Sequence, residues 1–353
     1  MQRRERCRAA ASHPSHARDG ALGGYAGGVP DEPQSGIRVP AAAAVVLAMA
    51  AGVGLALQGK LNSELGLALQ DRIAASLVSF ATGLAAVLLF TLAVPSVRVR
   101  LGGLRPAFRE RTYPRWYLLG GAVGAFYIFT QTATVSAVGL SLFTIAIVTG
   151  QMISGLLVDR LGLGSGRRIA VSARRVGAAV LALAAAVTAA LPHFNVGGQH
   201  ALLLVLMLLP LLSGLLQSIQ QGMLGRIATV HGSPAISTLL NFAVGTALLL
   251  AIWLVQAAAA GNGPAAQAPA WWLYAGGPLG TLVLGAATIC VASAGVLVMT
   301  LAVTGGQLVG AVMLDLLWPS AGSAVDAATV AGIGLTWLAL LLAARPWPSR
   351  KVL

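Results

Sequence analysis

Charged residues are scarce in this chain, since only 9% of its 353 residues are Asp, Glu, Lys or Arg. A soluble domain carries roughly 25%, so an ordinary globular enzyme is excluded. Cysteine occurs twice, as Cys7 in a basic tail and Cys290 inside an apolar run, which argues against a disulfide framework. The net charge of +13 comes from basic residues between apolar runs rather than on a soluble face, which argues against a nucleic-acid partner.

Apolar residues are abundant at 57% and occur in runs of about 20, the length that crosses a bilayer core as a helix. Backbone polar groups in lipid must be satisfied within the segment, which a helix does and an open strand does not. We therefore predict an all-α membrane protein with ten transmembrane helices. The segments are 41–59, 73–95, 116–135, 138–158, 176–192, 200–220, 234–257, 272–292, 294–314 and 327–344. Residues 1–40 lack a periodic apolar face, which predicts a disordered basic tail.

The distribution of basic residues predicts the orientation. With the N-terminus in the cytoplasm, 21 of the 23 basic residues lie on the cytoplasmic side, and only Lys60 and Arg72 lie outside. The positive-inside rule therefore places both termini in the cytoplasm of a multi-pass cell-membrane protein, with 346–353 as a cytoplasmic C-terminal tail.

The chain also repeats itself. At an offset of 156, WYLLGGAVG matches WLYAGGPLG, and TIAIVTGQMISGLLVD matches TLAVTGGQLVGAVMLD. LQGKLNSELG matches LQSIQQGMLG at an offset of 159, and SFATG matches NFAVG at 162. Each copy, 41–192 and 200–345, holds five predicted helices, and this odd number inverts the second copy relative to the first. Inverted repeats of this kind are typical of transporters that work by alternating access.

The motifs resemble those of a known family. LALQGKLNSELG…SLVSFATG in the opening helices, W-x-L-L-G-G at the third helix and GQMISGLLVDRLGLG closing the fourth are similar to the YdcZ family of the drug/metabolite transporter (DMT) superfamily. The resemblance covers about residues 41–345, although LDLLWP from Leu314 departs from VDRLGL at Val158. It implies a fused two-copy, ten-helix transporter with a cavity lined by the first four helices of each half, and it favours export.

Amides at membrane depth are the candidate cavity residues, because an amide both donates and accepts hydrogen bonds. The repeat pairs Gln58 with Gln217, Asn62 with Gln221, Gln151 with Gln307, and Ser79 with Asn241. The cavity candidates are Gln58, Asn62, Gln151, Gln217, Gln221, Asn241 and Gln307. Hydrogen bonding between helices is the alternative and is favoured for any single residue, whereas a cavity role is favoured for at least one pair. Gln131 and Gln220 have no partner in this alignment and rank lower.

Three carboxylates are candidates for a gate or for ion coupling. Asp159 and Asp315 close the fourth and ninth predicted helices, where a carboxylate opposes the helix dipole and needs a partner or water. A gate or tether and simple interfacial solvation are weighed equally for this pair. Glu64 lies four residues after Lys60 on one helix face, and solvation of this ion pair is favoured over a coupling site.

No catalytic motif, metal-ligand cluster or cofactor motif is recognisable, so an enzyme is disfavoured and neither a cofactor nor a metal is expected. The sequence predicts a secondary transporter of a small metabolite or drug-like compound. Its expected partners are the lipid bilayer, that unidentified substrate and a coupling ion such as the proton, and a homo-oligomer is compatible with the sequence. A non-transporting accessory or scaffold protein and a flippase for lipids or lipid-linked sugars remain as alternatives.

Overall fold

Helix is the only regular structure in the part of the chain that the computed structural model describes, which is residues 40–161, 172–194, 200–260, 269–283, 296–321, 323 and 325–344. The long helices are α1 (Ala41–Leu69), α2 (Arg72–Ala93), α3 (Gly120–Val138), α4 (Leu140–Leu161), α5 (Ala173–Phe194), α6 (His200–His231), α7 (Pro234–Ala260), α8 (276–283), α9 (Val296–Leu317) and α10 (Ala327–Ala344). Short helical turns connect α2 to α3 at Pro95–Arg98, Val99–Gly103 and Leu104–Glu110, and others precede α3 and α8 at Arg115–Leu119 and Trp271–Ala275.

Eight of the described helices are long and apolar enough to cross a membrane, and Ala327–Ala343 is a shorter apolar helix. The predicted all-helical fold is therefore confirmed for the described residues. Residues 1–39 of the predicted tail 1–40, the predicted tail 346–353, and the predicted eighth helix beyond residue 283 lie outside them.

Several helix boundaries follow from local sequence. Gln70 ends α1 in the left-handed region with a φ of 52°, and the Asp71 side chain caps α2 by accepting from the amides of Ile73 and Ala74 at 2.9 and 3.0 Å. Gly139, with a φ of 82°, separates α3 from α4, because an L side chain would be strained in that conformation.

Two helices are longer than predicted. The first was expected to end at residue 59 and continues to Leu69, while the sixth was expected to end at residue 220 and continues to His231. The predicted ends were wrong because they stopped at polar residues, starting with Lys60. Lys60 finds partners inside the bundle, and no helix-ending residue occurs in either segment until Gln70 and Gly232.

The helices of the two predicted halves pack against one another reciprocally. The first helix of each half packs along the fourth helix of the other, α1 on α9 and α6 on α4, while α2 packs on α7 and α5 on α10. A Cβ on Gly306 would overlap the Met49 carbonyl oxygen, and a Cβ on Gly150 would overlap that of Leu211. Glycine at these crossings lets the backbones touch. The described residues, from residue 40 onward, form one compact unit.

Helix α5 has one exposed face and one buried face, which differ in the size of their side chains. One face carries large apolar side chains at helical spacing, and Val180, Val187 and Leu191 are each more than half exposed. The opposite face carries buried alanines, including Ala185 and Ala189, which meet Gly332 of α10 closely. Small residues inside and large apolar residues outside are typical of a helix that faces lipid.

Candidate functional site

Polar side chains from five helices meet at the middle of the bundle. The Tyr127 hydroxyl on α3 lies near the Gln131, Gln217 and Gln307 side chains. The Asn62 Nδ2 donates to the Gln131 Oε1 at 2.8 Å, and the Gln151 Nε2 donates to the Gln217 Oε1. We call Asn62, Tyr127, Gln131, Gln151, Gln217 and Gln307 the amide cluster.

The amide cluster is hydrogen-bonding but uncharged. Its members come from α1, α3, α4, α6 and α9, so that both predicted halves contribute. Asn62, Tyr127, Gln131 and Gln307 are buried, and the Asn62 Oδ1 has no hydrogen-bond partner. A buried amide oxygen without a partner is costly, and this atom packs against Gly276 with its acceptor capacity unused.

The other predicted cavity residues make different contacts. Gln58 is buried beside Gly280, where an added Cβ would lie 2.6 Å from the Gln58 Nε2. Asn241 accepts a 2.9 Å hydrogen bond from the Gln220 Nε2, which also donates to the Gly120 carbonyl oxygen at 2.9 Å. Gln221 is exposed on the outer surface of α6 and takes no part in either group.

Close contacts correct the predicted pairing of α1 with α6. Gln58 approaches Gly280, and Gln220 approaches Gly124, where an added Cβ would lie 2.8 Å from the Gln220 Nε2. Gly124 and Gly280 match at the repeat offset of 156, so Gln58 corresponds to Gln220 and not to Gln217. Asn62 then corresponds to Leu224, which contacts Gly120 as Asn62 contacts Gly276.

The mispairing has a simple cause. Helix α6 carries Gln217, Gln220 and Gln221 within five residues, so several registers three or four residues apart give similar amide matches. The contacts are consistent with two pairings from the sequence, Ser79 with Asn241 and Gly121 with Gly277. Gly277 contacts the Ser79 carbonyl oxygen, and Gly121 contacts that of Asn241 in the same way. Sequence reasoning missed Tyr127, for which the signal was its spacing of four residues from Gln131 within an apolar helix.

Asp315 is buried, with 4% of its surface exposed, and it caps a helix other than its own. Its two carboxylate oxygens accept from the backbone amides of Leu140 at 3.0 Å and Ser141 at 2.7 Å, at the start of α4. The Ser323 hydroxyl donates to the Asp315 Oδ1 at 2.7 Å. The carboxylate lies at the positive end of the α4 dipole, where a negative charge is stabilised, and its hydrogen bonds join the end of α9 to the start of α4. The Asp159 side chain lies outside the described part of the chain.

Lys60 is fully buried, which corrects the expectation that its ion pair with Glu64 is solvated. The Lys60 Nζ lies 2.9 Å from the Glu64 Oε1, and 23% of the Glu64 side chain is exposed. The ammonium also donates to the Ser320 hydroxyl and lies 5.3 Å from the Trp318 ring centroid, within range of a cation–π interaction. Three different partners thus replace the water that the ammonium loses on burial.

These contacts join into one chain of polar groups. Ser320, which accepts from Lys60, donates its backbone amide to the Ser323 hydroxyl at 3.0 Å. Ser323 donates in turn to Asp315, which holds the start of α4. We call this connected set the Asp315 network: Glu64, Lys60, Ser320, Ser323, Asp315 and the amides of Leu140 and Ser141. It links the end of α1 with the end of α9 and the start of α4.

Comparison with known proteins yields one family. Residues 43–188 and 205–342 each match the family model DMT_YdcZ, described as "Putative inner membrane exporter, YdcZ". No curated protein and no solved structure matches the chain. The two matched segments cover most of the two copies predicted from the repeat.

Proposed function

The chain belongs to the YdcZ family of the drug/metabolite transporter type, which confirms the resemblance, and from this premise we propose that it exports a small metabolite or drug-like compound across the inner membrane. The proposed transporter has ten transmembrane helices in two inverted five-helix repeats. It opens alternately to either side, with both termini in the cytoplasm.

Reciprocal packing supports the inverted repeat. The contacts of Gly306 with Met49 and of Gly150 with Leu211 involve positions that match at offsets of 156 and 162. The Phe80 and Phe242 rings, which also match at 162, pack against each other with centroids 5.0 Å apart. Two similar halves in opposite orientation can exchange conformations, which is how such transporters alternate.

The amide cluster carries the proposal, because it gathers neutral donors and acceptors from five helices of both predicted halves. Among its members no carboxylate, guanidinium or ammonium is present, so it suits an uncharged polar solute held by hydrogen bonds. In this conformation the amides bond to one another. When the halves separate, a solute can replace these bonds at little net cost, because each neutral hydrogen bond contributes only about 1 kcal/mol.

We assign gating to Asp315 and ion coupling to Glu64. Asp315 holds this end of the bundle closed only while the end of α9 packs against the start of α4. Its hydrogen bonds to the Leu140 and Ser141 amides must therefore break before this end opens. Protonation of Glu64 would remove the charge that balances Lys60 and so weaken the Asp315 network. By the repeat, Asp159 would gate the opposite end.

The direct test is the double substitution Gln151→Leu and Gln307→Leu, with Gln221→Leu as the matched control because Gln221 is an exposed amide on the same bundle. Untargeted mass spectrometry of the medium from expressing cells identifies the exported compounds. We expect the double variant to lose export while its detergent-extracted protein keeps its thermal midpoint, and the control to keep both. Loss of folding in the double variant would assign these amides to packing, and unchanged export would refute the cavity.

Single-cysteine labelling tests the inverted arrangement independently of substrate. In a chain without Cys7 and Cys290, Gly102→Cys lies between α2 and α3, and Trp271→Cys lies at the 80% exposed residue before α8. We expect an impermeant maleimide to label Trp271→Cys only from outside and Gly102→Cys only from the cytoplasm. Labelling of both from one side would refute the topology.

A further inference from the structure

The loop between α2 and α3 packs against the end of α6. The Arg100 Nη1 donates to the His231 carbonyl oxygen at 3.2 Å, and the Tyr113 hydroxyl and the His231 Nε2 share a hydrogen bond of 3.3 Å. Ala107 and Tyr113 pack with Ile227 in a small apolar cluster. Burial raises the pKa of Tyr113, so its hydroxyl keeps its proton at neutral pH. The loop therefore presents a fixed outer surface.

That outer surface is rich in arginine. The side chains of Arg98, Arg105, Arg109, Arg111 and Arg115 are all exposed. None of these five guanidinium groups pairs with a carboxylate among the described residues. The corresponding segment between α7 and α8, residues 261–270, contains no basic residue, so the repeat itself does not require this charge.

Two of these arginines share a cleft. Arg105 and Arg109 are four residues apart on one helix face, and with Pro106 and Glu110 they line an open cleft of about 950 Å³. Paired guanidinium groups suit a phosphate group, because each can donate two parallel hydrogen bonds to its oxygens.

Exposed apolar side chains lie beside the arginines. Val99 is 78% exposed, and Trp116 and Leu119 are 46% and 57% exposed at the start of α3. Trp at the end of a membrane-spanning helix is typical of the lipid headgroup level. A basic cleft in a loop with exposed apolar side chains fits a lipid better than it fits a nucleic acid or free phosphate, neither of which would cover the apolar side chains.

We propose that the cleft of Arg105 and Arg109 binds the phosphate headgroup of an anionic phospholipid in the adjoining leaflet. The proposal rests on the membrane placement in the proposed function but not on transport, so it can hold where the substrate assignment fails. The surrounding arginines add a non-specific attraction to the anionic membrane surface.

The experiment compares Arg105→Gln/Arg109→Gln with Arg98→Gln/Arg111→Gln, which removes the same charge from the same loop outside the cleft. Each full-length variant is purified, and binding of short-chain phosphatidylglycerol and phosphatidylcholine is measured in detergent by native mass spectrometry. Because the cleft variant loses the charge-assisted hydrogen bonds to the phosphate, it should bind phosphatidylglycerol at least about tenfold more weakly than the parent, and the control at most about threefold. All forms should keep the same thermal midpoint in phosphatidylcholine.

Several outcomes would overturn the proposal. Equal losses in the two variants would mean that general charge, not the cleft, attracts the lipid. Equal affinity for phosphatidylglycerol and phosphatidylcholine would exclude anionic selectivity. Competition by inorganic phosphate at the concentration that phosphatidylglycerol needs would assign the cleft to free phosphate, and stronger binding of single-stranded RNA would assign it to nucleic acid.

Discussion

The substitution Asp315→Asn tests the gate most directly. The carboxylate accepts from two backbone amides, Leu140 at 3.0 Å and Ser141 at 2.7 Å, with one oxygen for each. An asparagine has one acceptor oxygen, so one of the two amides would face an NH₂ group. A hydrogen bond to a charged group contributes about 1.5–3 kcal/mol, and a buried unpaired amide costs about 1–3 kcal/mol. We take about 3 kcal/mol as the destabilisation of the closed end, which corresponds to a roughly 100-fold shift toward opening.

The assay is the labelling rate of a buried cysteine near this end. Ser63 on α1 is fully buried and its hydroxyl has no partner, so Ser63→Cys in a chain without Cys7 and Cys290 reports opening with little disturbance. When opening and closing are faster than labelling, the rate follows the population of the open form. We expect Asp315→Asn to raise the rate of reaction with an impermeant maleimide by roughly 100-fold.

Asp71→Asn is the matched control. Asp71 also caps a helix with its carboxylate, but the amides that it holds, Ile73 and Ala74, belong to the helix that follows it directly. Asparagine caps helices about as well as aspartate, so this variant should label like the parent. An unchanged rate in folded Asp315→Asn, or an equal rise in Asp71→Asn, would refute the assignment of Asp315 as a gate.

Three further predictions follow from the contacts. Tyr127→Phe, which removes one hydroxyl from the amide cluster and keeps the ring, should lower export about tenfold with a thermal midpoint close to that of the parent; unchanged export would exclude the hydroxyl. Lys60→Met or Glu64→Gln alone should lower the free energy of unfolding by about 3 kcal/mol, because either one breaks the ion pair. The double variant should recover most of this stability, and its export activity should no longer depend on a pH gradient. Proton-driven export by the double variant would exclude the coupling role. Gly306→Ala should destabilise the protein by about 3 kcal/mol in thermal unfolding, because the added Cβ would overlap backbone. Gly334→Ala, which has open space around it, should stabilise the protein by about 0.5 kcal/mol. Equal effects of the two substitutions would contradict the close helix crossing at Gly306.

Much of the helical layout could be predicted because apolar runs and backbone satisfaction leave few choices in a membrane. The interior ends of helices could not be predicted in the same way. Lys60 looked like the boundary of α1, because charge is expensive in lipid. Its cost is offset by Glu64, Ser320 and Trp318, of which the last two come from a segment about 260 residues away. No local pattern carries that information.

The sequence predicted only part of the candidate site, for related reasons. The repeat selects residues that occur twice, whereas Tyr127 corresponds at offset 156 to Val283 and therefore escaped selection. Asp315 was identified as a candidate, but its partners are the backbone amides of Leu140 and Ser141. Every residue except proline carries a backbone amide, so side-chain identity cannot reveal which ones a carboxylate will meet.

The charge of the Asp315 network makes the two ends of the transporter unequal. In the register set by the close contacts, Lys60 and Glu64 correspond to Gly222 and Arg226, so the second half cannot form the same ion pair. If neither half formed the ion pair of Lys60 and Glu64, the two conformations of the transporter, each open to one side, would have comparable free energies. An interaction present in only one state shifts the equilibrium by its own free energy. The ion pair of Lys60 and Glu64 therefore biases one end of the proposed transport cycle alone, although Asp315 and Asp159 match in the repeat.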